Sequence, residues 1–174
     1  MVSLRGVVGL ILAIALAIGI PSWGMISDGA GQAWAASSSA IKVTDELTDE
    51  DKDFSGQSII GKEFVRVQIE EADFTGADLR GTVFSGSSLS GSNFHGANLS
   101  DVIMYTTDLR NTDLTDANLT SILLLQTNLD GADITGADFS YSTIDRPQLI
   151  KLCARASGVN PITGVDTRES LECR

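Results

Sequence analysis

The chain has 174 residues, with 12 Lys or Arg against 23 Asp or Glu and a formal charge of −11. That length suits one domain of ordinary size. A polyanion of this strength has no electrostatic route to phosphate backbones; this excludes nucleic acid as a ligand and favours solubility or a basic partner.

Residues 1–35 read as an export signal. Arg5 supplies a positive start, and residues 7–20 form an uncharged, aliphatic, Gly-rich run. The run is shorter than a bilayer span needs. Pro21 ends it, and Ala33-Trp34-Ala35 offers a small-x-small recognition site, which places the cut between Ala35 and Ala36. The alternative is an uncleaved membrane anchor. The leader has no Arg pair, which points to a general secretory route, and no cysteine, which argues against a lipoprotein. Too few residues precede the apolar run for an organelle transit peptide. Removing the leader takes Arg5 and Asp28 together, so the charge stays at −11, and it takes both tryptophans, Trp23 and Trp34. No stable membrane span is expected afterwards.

Residues 36–53 are polar and acidic, and read as a short linker followed by an N-terminal cap. Ile41, Val43 and Leu47 are placed to cover an open edge of backbone groups. From Phe54 onward a large apolar residue recurs at every fifth position, through Ile59, Phe64 and Ile69 to Phe139, Ile144 and Leu149. Neither common element explains this. On a helix, five residues advance about 500°, so the stripe leaves any one face. On a strand, an odd step alternates between faces. The chain must therefore bend once per repeat, so that every large apolar residue points at a shared axis.

The positions around each centre agree with this. Two residues before it, small residues dominate, as at Ala72, Ala77, Ser92 and Ala97; one before it, Asp or Asn recurs, as at Asp73, Asp78, Asn93 and Asn98. Such Asx side chains bond nearby backbone groups and suit turns. Glycine recurs two residues after the centre, as at Gly76, Gly81 and Gly96. Gln57 and Lys62 occupy positions that should be small, so the first coil is expected to be distorted, with regular coils from Ala72.

Units such as Ala72-Asp73-Phe74-Thr75-Gly76, Ala97-Asn98-Leu99 and Ala117-Asn118-Leu119 resemble the A-(D/N)-L-X-X units of pentapeptide-repeat proteins. The resemblance covers residues 53–144. It implies an all-β, right-handed quadrilateral β-solenoid over residues 54–146, with one pentad per side and four per coil. Nearly five coils, at about 4.8 Å between stacked strands, would make a rod roughly 24 Å long.

Four pentads per coil sort the surface into faces. One face, centred on Phe64, Phe84, Met104, Leu124 and Ile144, carries apolar residues where polar ones are expected. Val83, Ile103 and Leu123 form one column, Tyr105 and Leu125 the next, and Val102 and Ile122 replace small inward residues. A contiguous apolar patch on an acidic rod is a candidate contact for an unidentified protein partner or for self-association. The alternatives are a terminal segment folded over it or a deformed cross-section that swallows it.

Residues 145–174 break the period and are expected to form a helical cap. Residues 147–156 read as a short helix with Asp145 as N-cap and Gly158 past its end. Asp166-Thr167-Arg168-Glu169 has the spacing of a capping box. Cys153 and Cys173 are the only cysteines. In an exported chain they read as one disulfide, closing a loop of about twenty residues, with two free thiols as the alternative. The stretches Ala156-Ser157-Gly158-Val159-Asn160-Pro161 and Thr167-Arg168-Glu169-Ser170-Leu171-Glu172-Cys173 resemble the tail of thylakoid-lumenal pentapeptide-repeat proteins of chloroplasts and cyanobacteria.

No catalytic, cofactor or metal constellation emerges. His95 is the one histidine and follows a repeat centre, where it is expected to be a solvated outer residue. Without a second His or clustered Cys there is no zinc pattern, and without a base there is no nucleophile pair. The expectation is a non-enzymatic exported protein, a binding or scaffold element of the thylakoid lumen or periplasm, with no cofactor. The resemblance also implies an alternative. Some pentapeptide-repeat proteins mimic the shape and charge of duplex DNA and bind topoisomerase; an export signal argues against it, because that target is cytoplasmic.

Overall fold

In the computed structural model, residues 52–174 are described. The export signal, its cut between Ala35 and Ala36, and the acidic segment up to residue 51 lie outside them. The large apolar residue at each pentad centre turns inward, and the chain bends at each corner. Phe64, Ile69, Phe74, Leu79 and their successors to Phe139 are buried in one cluster, with Phe54 and Ile144 half-buried at its two ends. Residues a full coil apart stack in register: Asp53 on Asp73, Ser58 on Asp78, Glu63 on Val83, and Gln68 on Ser88. Four such columns per coil are the four sides of a β-solenoid. Phe54, Phe74 and Phe94 lie ring on ring at 4.8 and 4.7 Å, the spacing the strand ladder imposes.

Every position two residues past a centre, from Gly56 to Tyr141, has a positive φ. That explains the glycines, since only they adopt this conformation without strain. Arg66, Glu71, Thr106 and Gln126 adopt it nonetheless, at φ between 53° and 59°. The corner therefore follows from the whole coil rather than from its glycine. For the same reason the first coil is regular: its bridges begin at Asp53. Gln57 does not distort it, because its side chain stays exposed and its Nε2 donates to the Asp53 carbonyl at 2.7 Å.

On three sides the Asx residue before the centre closes the turn. Asp73 Oδ1 accepts from the Thr75 amide at 2.8 Å, Asn118 Oδ1 from the Thr120 amide at 3.0 Å, and Asn128 Oδ1 from the Asp130 amide at 2.9 Å. On the fourth side Glu63, Val83, Ile103, Leu123 and Thr143 stand at that position. With no Asx side chain to curl it, the backbone stays extended. That side forms a parallel sheet in the order β1 (Glu63–Val65), β2 (Val83–Ser85), β3 (Ile103–Tyr105), β4 (Leu123–Leu125) and β5 (Thr143–Ile144). Its corners are held by buried hydroxyls: Ser87, Thr107 and Thr127 donate to the carbonyls of Phe64, Phe84 and Met104, each at 3.1 Å.

Two short helices close the C-terminal end, α1 (Arg146–Cys153) and α2 (Thr167–Ser170). Helix α1 starts one residue earlier than the sequence suggests and stops sooner. Asp145 stands at its N-cap position, but its side chain makes no cap. Instead Asp145 Oδ2 accepts from the Gln126 amide at 2.6 Å, where another coil would have offered a carbonyl. Asp166 does cap α2, accepting from the Arg168 and Glu169 amides. Cys153 and Cys173 are joined by a disulfide between the two helical segments.

The cap supplies partners to an edge that would otherwise be bare. Gly136 N donates to the Ser157 carbonyl at 2.8 Å, and Phe139 N to Ser170 Oγ at 3.0 Å. The Thr127 carbonyl accepts from Gln148 Nε2, and the Leu129 carbonyl from the Arg155 guanidinium.

Candidate functional site

The face made by β1–β5 is the one the sequence singled out. Along β1–β4 the centre is buried and its two neighbours face outward, as period two requires. Val83, Ile103 and Leu123 align in one outer column, with Glu63 and Thr143 at its ends. Val65, Ser85, Tyr105 and Leu125 align in the other. Ile103 is 40% exposed and Tyr105 47%, while Val83, Leu123 and Leu125 are half-buried against their neighbours. Val102 and Ile122, counted with this patch from the sequence, are wholly buried and belong to the interior. The cross-section therefore absorbs the inward pair and leaves the outward pairs at the surface. The terminal segment bonds to other parts of the last coils, at Asp116, Ala117, Leu129 and Gly136.

Val65, 50% exposed, was missed from the sequence. It lies in the Tyr105 column two coils earlier, and Ser85 between them interrupts the apolar run. Stepping back by whole coils from Tyr105 would have found it. Corner residues make a polar rim beside this column; Thr106 Oγ1 meets Gln126 Oε1 at 3.3 Å. An apolar centre within a polar rim is the usual anatomy of a contact surface.

Acidic groups on the other sides serve the backbone. Arg80 grips Asp78 through two bonds of 2.8 Å, and Arg110 grips Asp108 at 2.9 and 2.6 Å. These side-chain bonds hold both carboxyls below the ordinary Asp range. Asp133 is lowered by the Thr135 amide and hydroxyl. Each such Asp contributes stability above its unfolded pKa of about 3.9, and that contribution is lost as pH falls through the lower folded value. Thermal stability is therefore expected to stay flat from about pH 8 to about pH 5 and to drop below about pH 4. A melting series across pH reads this out directly, and a decline already complete at about pH 6 would show that other groups dominate.

His95 is exposed, with Nδ1 2.7 Å from Thr115 Oγ1. Among the described residues no group of three His, Cys, Asp or Glu could hold a metal ion, and no helix is long and apolar enough to cross a membrane.

A rod of five-residue turns with an inward apolar residue at each centre defines a class, the pentapeptide β-solenoids. The family model described as Pentapeptide repeats matches eight copies, over residues 68–105 and 107–143. A pentapeptide repeat protein of the Arabidopsis thaliana thylakoid lumen, of known crystal structure, is 31% identical; the match covers 78% of this chain and 99% of that one, with a TM-score of 0.34. The chain belongs to the pentapeptide-repeat family. Thylakoid lumenal protein TL20.3, chloroplastic, of Arabidopsis thaliana is 58% identical over 36 residues, which is 21% of this chain and 13% of that protein's length. HetL of the cyanobacterium Nostoc, a pentapeptide repeat protein involved in heterocyst differentiation regulation, is 28% identical over 52% of this chain and 41% of its own, with a TM-score of 0.34.

Proposed function

We propose that this is an exported, non-enzymatic pentapeptide-repeat protein acting as a protein-binding or scaffold element of a thylakoid lumen or periplasm. In this reading residues 1–35 are a cleaved leader, residues 36–53 a linker and N-terminal cap, residues 54–146 the solenoid, and residues 147–174 its C-terminal cap. Support for the destination comes from the lumenal relatives and from the leader's pattern. N-terminal sequencing of the exported chain should begin at Ala36, and an intact leader on the exported form would remove that part.

The observation that carries a binding role is the β1–β5 face. It exposes Val65, Ile103 and Tyr105, and Ile103 stands where the other sides carry an Asx residue. Burying two or three such half-exposed side chains against a partner is worth about 1 kcal/mol each. Replacing Ile103 and Tyr105 together with Ser is expected to leave melting within about 1 kcal/mol of the parent, because both side chains are already half in water. The same variant should lose at least about tenfold in affinity for whatever the parent retains from lumenal or periplasmic extract. Sedimentation of the parent alone separates self-association from a foreign partner. Identical retention by parent and variant would leave the face without a role.

A further inference from the structure

The C-terminal cap leaves a second surface that neither the repeats nor the sheet face accounts for. Between α1, α2 and the last coil lies a cleft of about 820 Å³. Its apolar wall includes Leu149, Ile150 and Leu171, with the Cys153–Cys173 bridge beside them. Three guanidinium groups line it, those of Arg146, Arg168 and Arg174, against one side-chain carboxylate, that of Glu172. Arg168 donates to the Cys153 carbonyl at 2.8 Å. The guanidinium groups of Arg146 and Arg174 make no hydrogen bond or ion pair among the described residues, and both residues are exposed. Tyr141 lines the same cleft, 90% exposed and held at φ 61°, a conformation unusual for a bulky side chain. Ile150 is 65% exposed. Tyrosine and arginine around an apolar floor are the residue types that dominate binding energy at contacts.

Charge is unevenly distributed along the chain. Over residues 52–144, acidic side chains outnumber basic ones thirteen to five. The cap reverses this: Arg146, Lys151, Arg155, Arg168 and Arg174 face Asp145, Asp166, Glu169 and Glu172. At the other end, just before the first bridge at Asp53, residues 45–51 read Asp-Glu-Leu-Thr-Asp-Glu-Asp, five carboxylates around one leucine with no basic residue. That composition complements the cleft: carboxylates for the unpaired guanidiniums, and Leu47 for the apolar floor. The cleft closes the last coil, whereas the stretch precedes the first. A stretch at one end of a ladder and its complement at the other suit joining of successive copies.

We propose that the cleft binds residues 45–51 of a second copy, so that copies associate head to tail. The probe is a fluorescent peptide of residues 44–52. The receptor is the full chain with its own stretch neutralised by Asp45→Asn, Glu46→Gln, Asp49→Asn, Glu50→Gln and Asp51→Asn. Saturable binding is expected, weakened about tenfold or more by adding Arg146→Glu and Arg174→Glu, because like charges then face each other. Arg146→Lys with Arg174→Lys should retain most of the binding, which separates charge from misfolding. Raising salt from about 0.05 to about 0.3 M should also weaken it. Absence of saturable binding, or binding unaffected by the Glu pair, overturns the assignment. Binding lost instead through Ile103→Ser and Tyr105→Ser also overturns it, by moving the contact to the sheet face. Sedimentation then tests the second copy: the native chain should gain mass with concentration at low salt and the neutralised chain should not. A native chain that stays monomeric overturns head-to-tail association even if the peptide binds.

Discussion

Asn160→Ala is expected to cost about 3–5 kcal/mol and to loosen the C-terminal cap before the rest of the solenoid. Asn160 is wholly buried. Its Nδ2 group donates to the carbonyls of Asp116 and Ala117 at 3.1 Å and of Gly136 at 2.9 Å. Its Oδ1 accepts from the Ile162 and Thr163 amides, each at 3.0 Å. One side chain thus ties two successive coils to the turn that follows it. Alanine leaves the Asp116 and Gly136 carbonyls and the Ile162 and Thr163 amides without this partner, while the Ala117 carbonyl keeps the Asp138 amide; each buried unpaired group costs about 1–3 kcal/mol. Gly158, two residues earlier, is bound to the same spot. A Cβ there would stand 2.7 Å from the Gly136 amide nitrogen, and its φ is 88°. Hydrogen exchange after the Asn160 change should show the Gly136 and Phe139 amides deprotected first, since both donate to cap residues. Uniform loss of protection along the rod, with no preference for these amides, would show that the cap does not hold that edge.

The second large effect is expected in the interior. Phe74→Ala should cost about 3–5 kcal/mol, the usual range for a buried phenyl truncated to a methyl. Phe74 is fully buried, stacked between Phe54 and Phe94 with planes within 7° and 1° of parallel. Its neighbours cannot close the gap, because coil spacing is set by backbone bonds such as Phe74 N to the Asn93 carbonyl at 2.7 Å. The cavity therefore stays open, which places the cost toward the upper part of the range. Phe74→Leu keeps a large side chain and should cost about 1–2 kcal/mol. Each coil touches only its neighbours, so the damage should be greatest in the coils around Phe74 and weaken toward the cap. Chemical denaturation of the two variants against the parent gives the numbers. Equal costs for Ala and Leu would mean that ring stacking, rather than filled volume, sets stability here.

Most of the architecture was legible before any coordinates, because the repeat states one constraint many times over. A large residue at every fifth place, Asx before it and glycine after it demand a bend in every repeat, and the family resemblance supplied the four sides per coil. The expectation for the first coil was wrong for an instructive reason. Gln57 and Lys62 looked too large for their places, yet stacking on the next coil holds the register and the Gln57 side chain stays exposed. The positive φ of Arg66, Glu71 and Thr106 shows the same dominance of the coil over local preference. The apolar face was also readable, with Val102 and Ile122 at inward positions and Tyr105 and Leu125 in an outward column. Position within the pentad separates Val102, 0% exposed, from Tyr105, 47% exposed.

The sequence alone thus determined the period, the inward column and the side that carries apolar residues, since these depend on residue type at fixed spacing. Tertiary structure decided how the solenoid ends. Asp145 was expected to cap a helix and instead completes the sheet corner at Gln126. Asn160, an ordinary turn residue by its sequence context, is the buried tie between coils. The Arg-lined cleft joins residues from the last coil and both helices, beside a disulfide spanning 20 residues. A ladder edge is satisfied by whatever donors and acceptors the returning chain brings near it. That proximity is set by the path of the whole chain, which no local pattern encodes.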